Sequence, residues 1–287
     1  MAATVSFKLA DHSDTFIKRH CDESLPHVGA SISNLQGIGQ SHRINVGLGT
    51  LGFLAAKRQA PNWESLVLVS NQHVLLANDA IRDEVIFQPD YETQGEQIIF
   101  DALRLNAIAK IDNEGLCGHF SYAYPGESEK PYYIDCATAS LLLKQIKNPH
   151  RVKSKTQYFT TVARVHPLDT ISGRELKVRL LGRSNSVWGK VIDSTATVET
   201  VSGELCRNTL VIRALPDNDG VMRPLSRKGD SGALFIDQYQ RAVGLLWGNH
   251  LFDPFVSYAC PIHPVLSCLQ IIPWCFDFCA PQSAHKD

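Results

Sequence analysis

From Val28 onward the chain is written in short aliphatic and β-branched runs, each stopped by Gly, Pro, Asn or Asp, and this punctuation constrains the fold more than any other feature. Examples are Leu66-Val-Leu-Val-Ser70, Glu84-Val-Ile-Phe87, Lys177-Val-Arg-Leu-Leu181, Asn208-Thr-Leu-Val-Ile-Arg213, Ala233-Leu-Phe-Ile236 and Ala242-Val-Gly-Leu-Leu-Trp247. Short strands with turn residues between them predict an all-β sandwich or barrel and exclude a parallel sheet with crossover helices. One helix is expected, in His263-Pro-Val-Leu-Ser-Cys-Leu-Gln-Ile-Ile, with Pro264 in its first turn. The run beginning Cys136-Ala-Thr-Ala-Ser reads equally well as strand or helix, and the polar stretch from Asn113 to Lys130 reads as an exposed inserted loop. Residues 1–28 lack periodicity and are expected to form an N-terminal extension, with 29–272 as the domain and 273–287 as a tail.

The charge is nearly balanced, 28 Lys and Arg against 29 Asp and Glu, so no global field draws the chain to nucleic acid or an anionic membrane, and neither is expected as a partner. The first residues lack the basic start and apolar core of a secretory signal, and no run of about 18 apolar residues occurs, so a cytoplasmic protein is expected. In such a compartment the eight cysteines are expected to stay reduced. Cys275 and Cys279 have the spacing of half a zinc site, but Cys260 and Cys268 supply no second pair, so neither metal nor other cofactor is expected.

The stretch Lys228-Gly-Asp-Ser-Gly-Ala-Leu-Phe235 carries the chemistry. A serine hydroxyl becomes a nucleophile when a tight turn presents it beside a base, with N–H groups aimed at the oxygen that turns negative. Gly229 and Gly232 permit that turn, and the N–H groups of Gly229 and Ser231 are candidate oxyanion donors. Asp230 is placed to fix the loop by pairing inward. His73 follows the apolar run 66–70, a rigid support for a base working near neutral pH. Asp135 lies in Tyr132-Tyr-Ile-Asp-Cys-Ala, where a carboxylate is costly unless it is paired, for instance with an imidazole. Asp112 is a rival for that role and Asp101 a remoter one.

Gly-Asp-Ser-Gly at 229–232, Ser-Asn-Gln-His at 70–73 and Ile-Asp-Cys-Ala at 134–137, in the order His, Asp, Ser, resemble the trypsin-like serine peptidases. Gly49-Thr-Leu-Gly52 and Leu181-Gly-Arg-Ser-Asn-Ser-Val-Trp-Gly189 make the chain most like the intracellular-type bacterial and plant members. The resemblance covers about 29–272. It implies two antiparallel six-stranded β-barrels, about 29–150 and 151–262, then a short helix over about 263–272, with an active site between the barrels. It implies a serine endopeptidase with His73 as general base, Asp135 as its orienting partner and Ser231 as nucleophile, acting without cofactor on polypeptide substrates by limited proteolysis. The disulfides of secreted members are missing, and no Ile-Val-Gly-Gly start exists to pair with Asp230.

The same resemblance puts Leu225 at the floor of the primary specificity pocket, Leu246, Trp247 and Gly248 along its wall, and Lys228 near the cleaved bond. An uncharged floor favours an apolar or small side chain before that bond, whereas His250 near the wall would instead read an acidic one. Two other readings stay open: a latent protease-like module that binds a regulatory protein partner, and a hydrolase of small esters.

Overall fold

The computed structural model describes residues 28–36, 45–61, 65–77, 81–88, 107–142, 164–166, 176–182 and 187–274. The first sheet is built from β1 (Ser31–Gln36), β2 (Asn45–Thr50), β3 (Phe53–Lys57), β4 (Leu66–Ser70), β5 (Val85–Phe87), β6 (Ala107–Tyr122), β7 (Lys130–Leu141) and the late β15 (Ile271–Pro273), in the order β15-β3-β4-β7-β6-β5-β1-β2. The second contains β8 (Arg164–Val165), β9 (Lys177–Leu181), β10 (Trp188–Glu199), β11 (Leu205–Ala214), β12 (Leu234–Asp237), β13 (Arg241–Asn249) and β14 (Val256–Pro261). Its order is β12-β9-β10-β11-β14-β13, and β12 also pairs with β13 as far as Leu245, so six antiparallel strands close on themselves. The two-residue β8 attaches outside the ring, parallel to β13. Two helices complete the described residues, α1 (Gln72–Leu75) and α2 (Ile262–Leu269).

The chain is thus all-β with a short helix near its C-terminal end. Its apolar side chains fall into three groups that divide it in two. Ile32, Leu51, Leu68, Ile86 and Ile111 fill the first sheet. Val178, Leu180, Leu210, Ile212 and Phe235 fill the second. A third group joins Phe53, Val67, Val69 and Ile134 of the first sheet to Leu234, Ile236 and Leu245 of the second, with Val265, Leu266 and Leu269 of α2 packed on them. The seam between the units is therefore a hydrophobic core in its own right and holds them at fixed orientation.

Three local expectations change. Residues 113–130 are not an inserted loop, because 107–122 and 130–141 form one long antiparallel hairpin closed by a turn at 123–129. Edge-to-face contacts of Tyr124 with Tyr122, Tyr132 and His263, at 5.0, 5.6 and 5.9 Å, fasten that hairpin to α2. The ambiguous run after Asp135 is strand, its alternate faces buried in the first sheet and in the seam. Finally, the helix stops at Leu269, where Gln270 takes a left-handed conformation (φ 53°), and the chain returns to the first sheet as β15, paired with β3. No helix among the described residues is long and apolar enough to cross a membrane.

Candidate active site

β4 is buried along its whole length and delivers the chain to the seam, where it turns into the single-turn helix α1. Val74 and Leu75 of α1 point into the first core, which leaves His73 facing out, its side chain 44% exposed. Asp135 comes from the neighbouring strand β7 and is 2% exposed. Its Oδ2 takes the hydrogen bond of the His73 ring at Nδ1, and an ionised carboxylate only accepts, so Nδ1 bears the proton and Nε2 presents its lone pair outward. Asp135 Oδ1 accepts the main-chain N–H groups of Gln72 (2.7 Å) and His73 (3.2 Å), so the carboxylate holds both the ring and the turn that carries it. Asn71 Nδ2 donates to the Asp135 carbonyl (2.7 Å), and the Asp135 N–H donates to the buried Cys260 Sγ (3.2 Å). Every polar group of this buried residue has a partner, as a carboxylate in an apolar seam requires.

Electrostatics follow the same contacts. Burial disfavours a protonated His73, but the hydrogen bond and the charge of Asp135 outweigh it, and the imidazole pKa lies above its ordinary 6.5. Asp112 is excluded from this role. It accepts hydrogen bonds from Thr138 (2.7 Å) and Ser140 (2.8 Å) and pairs with Lys57 (2.6 Å). Asp101 lies outside the described residues.

Ser231 sits in the turn before β12. Gly229 and Gly232 take φ of +93° and +88°, values that disfavour any residue with a Cβ. Close approach adds a second constraint at Gly232, since a Cβ there would meet the Thr50 carbonyl at 2.5 Å, collide with Ser70 Oγ and lie 3.3 Å from the Asn71 nitrogen. The serine turn is therefore pressed against the residues that lead into His73. Main-chain bonds lock the approach. Thr50 N–H donates to the Ser231 carbonyl (2.8 Å), Thr50 Oγ1 to the Gly229 carbonyl (2.8 Å) and Gly232 N–H to the Leu246 carbonyl (2.9 Å). Asp230 accepts the Arg227 N–H at Oδ2 (2.8 Å). Among the described residues, the N–H groups of Gly229 and Ser231 have no protein acceptor.

The chain is similar to solved chymotrypsin-fold serine proteases. Nocardiopsis protease is 13% identical, with 86% of this chain and 97% of that one covered at a TM-score of 0.45. Cellulomonas bogoriensis chymotrypsin is 11% identical, with the same coverage and the same TM-score of 0.45. The active form of a protease from M. tuberculosis is 12% identical over 95% of this chain and 93% of that one, at a TM-score of 0.42. No family model matches the sequence. No curated protein matches it.

The specificity residues are placed unequally. Leu225 is 1% exposed and packed with Val178, Ile212 and Leu246 in the second core. Leu246 is likewise buried, whereas Trp247 and Gly248 are partly exposed and Lys228 is exposed. Trp247 is held between Tyr133 (5.0 Å) and Tyr258 (5.5 Å, stacked), and its Nε1 donates to Thr209 Oγ1 (3.0 Å). Sequence reasoning missed Thr50, Asn71 and Cys260, which orient the site through main-chain carbonyls and one N–H. The only signal for Thr50 was its place between Gly49 and Gly52. Among the described residues no group of three His, Cys, Asp or Glu side chains is arranged to hold a metal ion, and Cys275 and Cys279 lie outside them.

Proposed function

We propose that this chain is a serine endopeptidase, with Ser231 as nucleophile, His73 as general base and Asp135 as the residue that orients it. The observation that carries this reading is the buried Asp135 gripping a half-exposed His73 beside a turn that presents Ser231 next to two N–H groups without acceptors. His73 Nε2 takes the hydroxyl proton as Ser231 Oγ attacks the scissile carbonyl. Asp135 stabilises the imidazolium, and the Gly229 and Ser231 N–H groups receive the oxyanion. The imidazolium then returns its proton to the leaving amine, and water activated by the same base hydrolyses the ester.

A polypeptide substrate is favoured over a small ester by β13. Its pairings with β12 and β8 end at Leu245, Leu246 N–H still bonds the Ala233 carbonyl, and beyond that the strand pairs only with β14 among the described residues. Among the described residues one edge of 247–249 is unpaired, beside the serine turn, and suits an added strand. We place the activity in limited proteolysis of a few cognate proteins.

The test is intact-mass analysis after incubation with a fluorophosphonate. Wild type gains one adduct, Ser231→Ala gains none, and His73→Ala and Asp135→Asn react far more slowly. A folded wild-type chain that stays unlabelled contradicts the reading and favours a protein-binding module.

A further inference from the structure

Resting on the proposed peptidase reading, we infer that the site selects acidic polypeptide segments N-terminal to the cleaved bond, through His250 on one wall and Arg227 with Lys228 on the other. His250 lies just past the end of β13, exposed, between Tyr258 and Phe252, each ring 6.4 Å away. Its Nδ1 accepts the main-chain N–H groups of Phe252 (3.2 Å) and Asp253 (3.1 Å), which fixes the ring proton on Nε2. The ring is thus a donor pre-oriented by its own loop, and among the described residues its Nε2 has no acceptor. Leu251 and Phe252 beside it are 68% and 85% exposed, an apolar rim around that donor.

The segment 225–228 is tied to the same loop by Leu225 N–H donating to the Pro254 carbonyl (3.1 Å). It carries two exposed cations, and neither Arg227 nor Lys228 forms an ion pair among the described residues. The nearby carboxylates are engaged: Asp253 pairs with Arg213 (3.1 Å) and Asp217 with Arg223 (2.8 Å). Among the described residues this surface therefore offers one fixed N–H and two positive charges without an ion pair, which a carboxylate satisfies and an ammonium does not.

The direction follows from the open edge. β13 runs outward from the serine turn, and His250 is four residues beyond Leu246, about 13 Å at roughly 3.3 Å per residue. A substrate strand added antiparallel to β13 runs from His250 toward Ser231, so the residues opposite His250 precede the cleaved bond by about four positions.

The experiment uses the full chain carrying Ser231→Ala, so that nothing is cleaved, and fluorescent decapeptides with three consecutive Glu, Gln or Lys residues, read by anisotropy. The Glu peptide is expected to bind at least tenfold more tightly than the Lys peptide, with Gln between them. Adding His250→Ala is expected to reduce the Glu-over-Gln ratio severalfold, and adding Arg227→Ala with Lys228→Ala to reduce the Glu-over-Lys ratio, each in a chain whose thermal melt remains cooperative. Equal binding of the three peptides, binding of none, or ratios unmoved by either set of substitutions overturns the inference. Fluorophosphonate labelling of the wild-type chain reports separately on the catalytic reading, so the two can fail independently.

Discussion

Asp135 holds His73 twice, through the ring at Nδ1 and through the main-chain N–H of the same residue. The ring bond sets the tautomer and the main-chain bond sets the position of α1, so substitutions at Asp135 separate the two. Asp135→Asn keeps an oxygen for the main-chain donors but no longer favours the proton on Nδ1. Fluorophosphonate labelling is expected to slow by about 10³- to 10⁴-fold with little change in melting temperature. Asp135→Ala is expected to melt earlier as well, because the Gln72 and His73 N–H groups lose their acceptor. Equal labelling rates for Asp135→Asn and wild type contradict the assignment.

The raised His73 pKa fixes a direction with pH. Only the neutral ring takes the Ser231 proton, so labelling falls as pH drops through a value above 6.5, and in Asp135→Asn the limb moves lower on a much smaller plateau. The linked stability has the opposite preference. A folded-state pKa above the unfolded one contributes stability that is fully present below about 6.5 and is lost as pH rises through the folded value. A labelling profile whose acid limb lies at or below 6.5 in wild type refutes the pairing as described.

Asp112 gives the contrasting case. Burial raises its pKa, but the bonds from Lys57, Thr138 and Ser140 outweigh it, and the carboxyl lies below its ordinary 3.8. Its contribution is therefore present above about 3.8 and is lost as pH falls through the lower folded value. Asp112→Asn is expected to leave labelling within about twofold of wild type while flattening the acid side of the melting-temperature profile. A loss of labelling comparable to that of Asp135→Asn would return Asp112 to the site.

Gly232→Ala tests the contact between the serine turn and the approach to His73. The positive φ and the overlap with Ser70 and the Thr50 carbonyl both oppose a methyl group, and backbone at this contact is fixed from either side. A destabilisation of about 3 kcal/mol or more is expected by denaturant unfolding, with labelling lost even where the chain still folds. A change under 1 kcal/mol would mean that the turn has room to move.

Much of this was legible in the residues, for reasons that differ from element to element. The run 66–70 is buried on both faces and could be read as strand without knowing its partners. Ser231 announced itself through flanking glycines whose conformation only glycine adopts readily. The hairpin 107–141 was not legible, because its outer part is stabilised by tyrosines that meet only after the strands pair and α2 arrives. The Ile-Asp-Cys-Ala context favours Asp135 over Asp112, but what else holds Asp112 was not legible. Lys57 and Ser140, which claim Asp112, come from other positions along the sheet. The packing of Leu225 was not legible either, because spacing from Ser231 says nothing about which way a side chain turns, and this one lies in the second core.

Thr50 is where the first unit reaches the proposed oxyanion donors, and it gives a test of pre-organisation separable from the proposed triad. The peptide plane between Gly229 and Asp230 is bonded at both ends, its carbonyl to Thr50 Oγ1 and its N–H to the Arg227 carbonyl (3.0 Å). Thr50→Val preserves shape and the Thr50 main-chain bond to Ser231 but strands the buried Gly229 carbonyl, at a cost of about 1–3 kcal/mol. The plane is then held by the Asp230 N–H alone, and the turn that carries the Gly229 and Ser231 donors loses one of its ties, which loosens the donor geometry proposed to stabilise developing charge. Labelling is expected to fall by about tenfold in Thr50→Val and to recover in Thr50→Ser, while the pH at which the acid limb falls, set by His73 and Asp135, stays where it is in wild type. A shift of that limb, or no rescue by serine, would show that Thr50 acts on the fold as a whole instead of on the oxyanion donors.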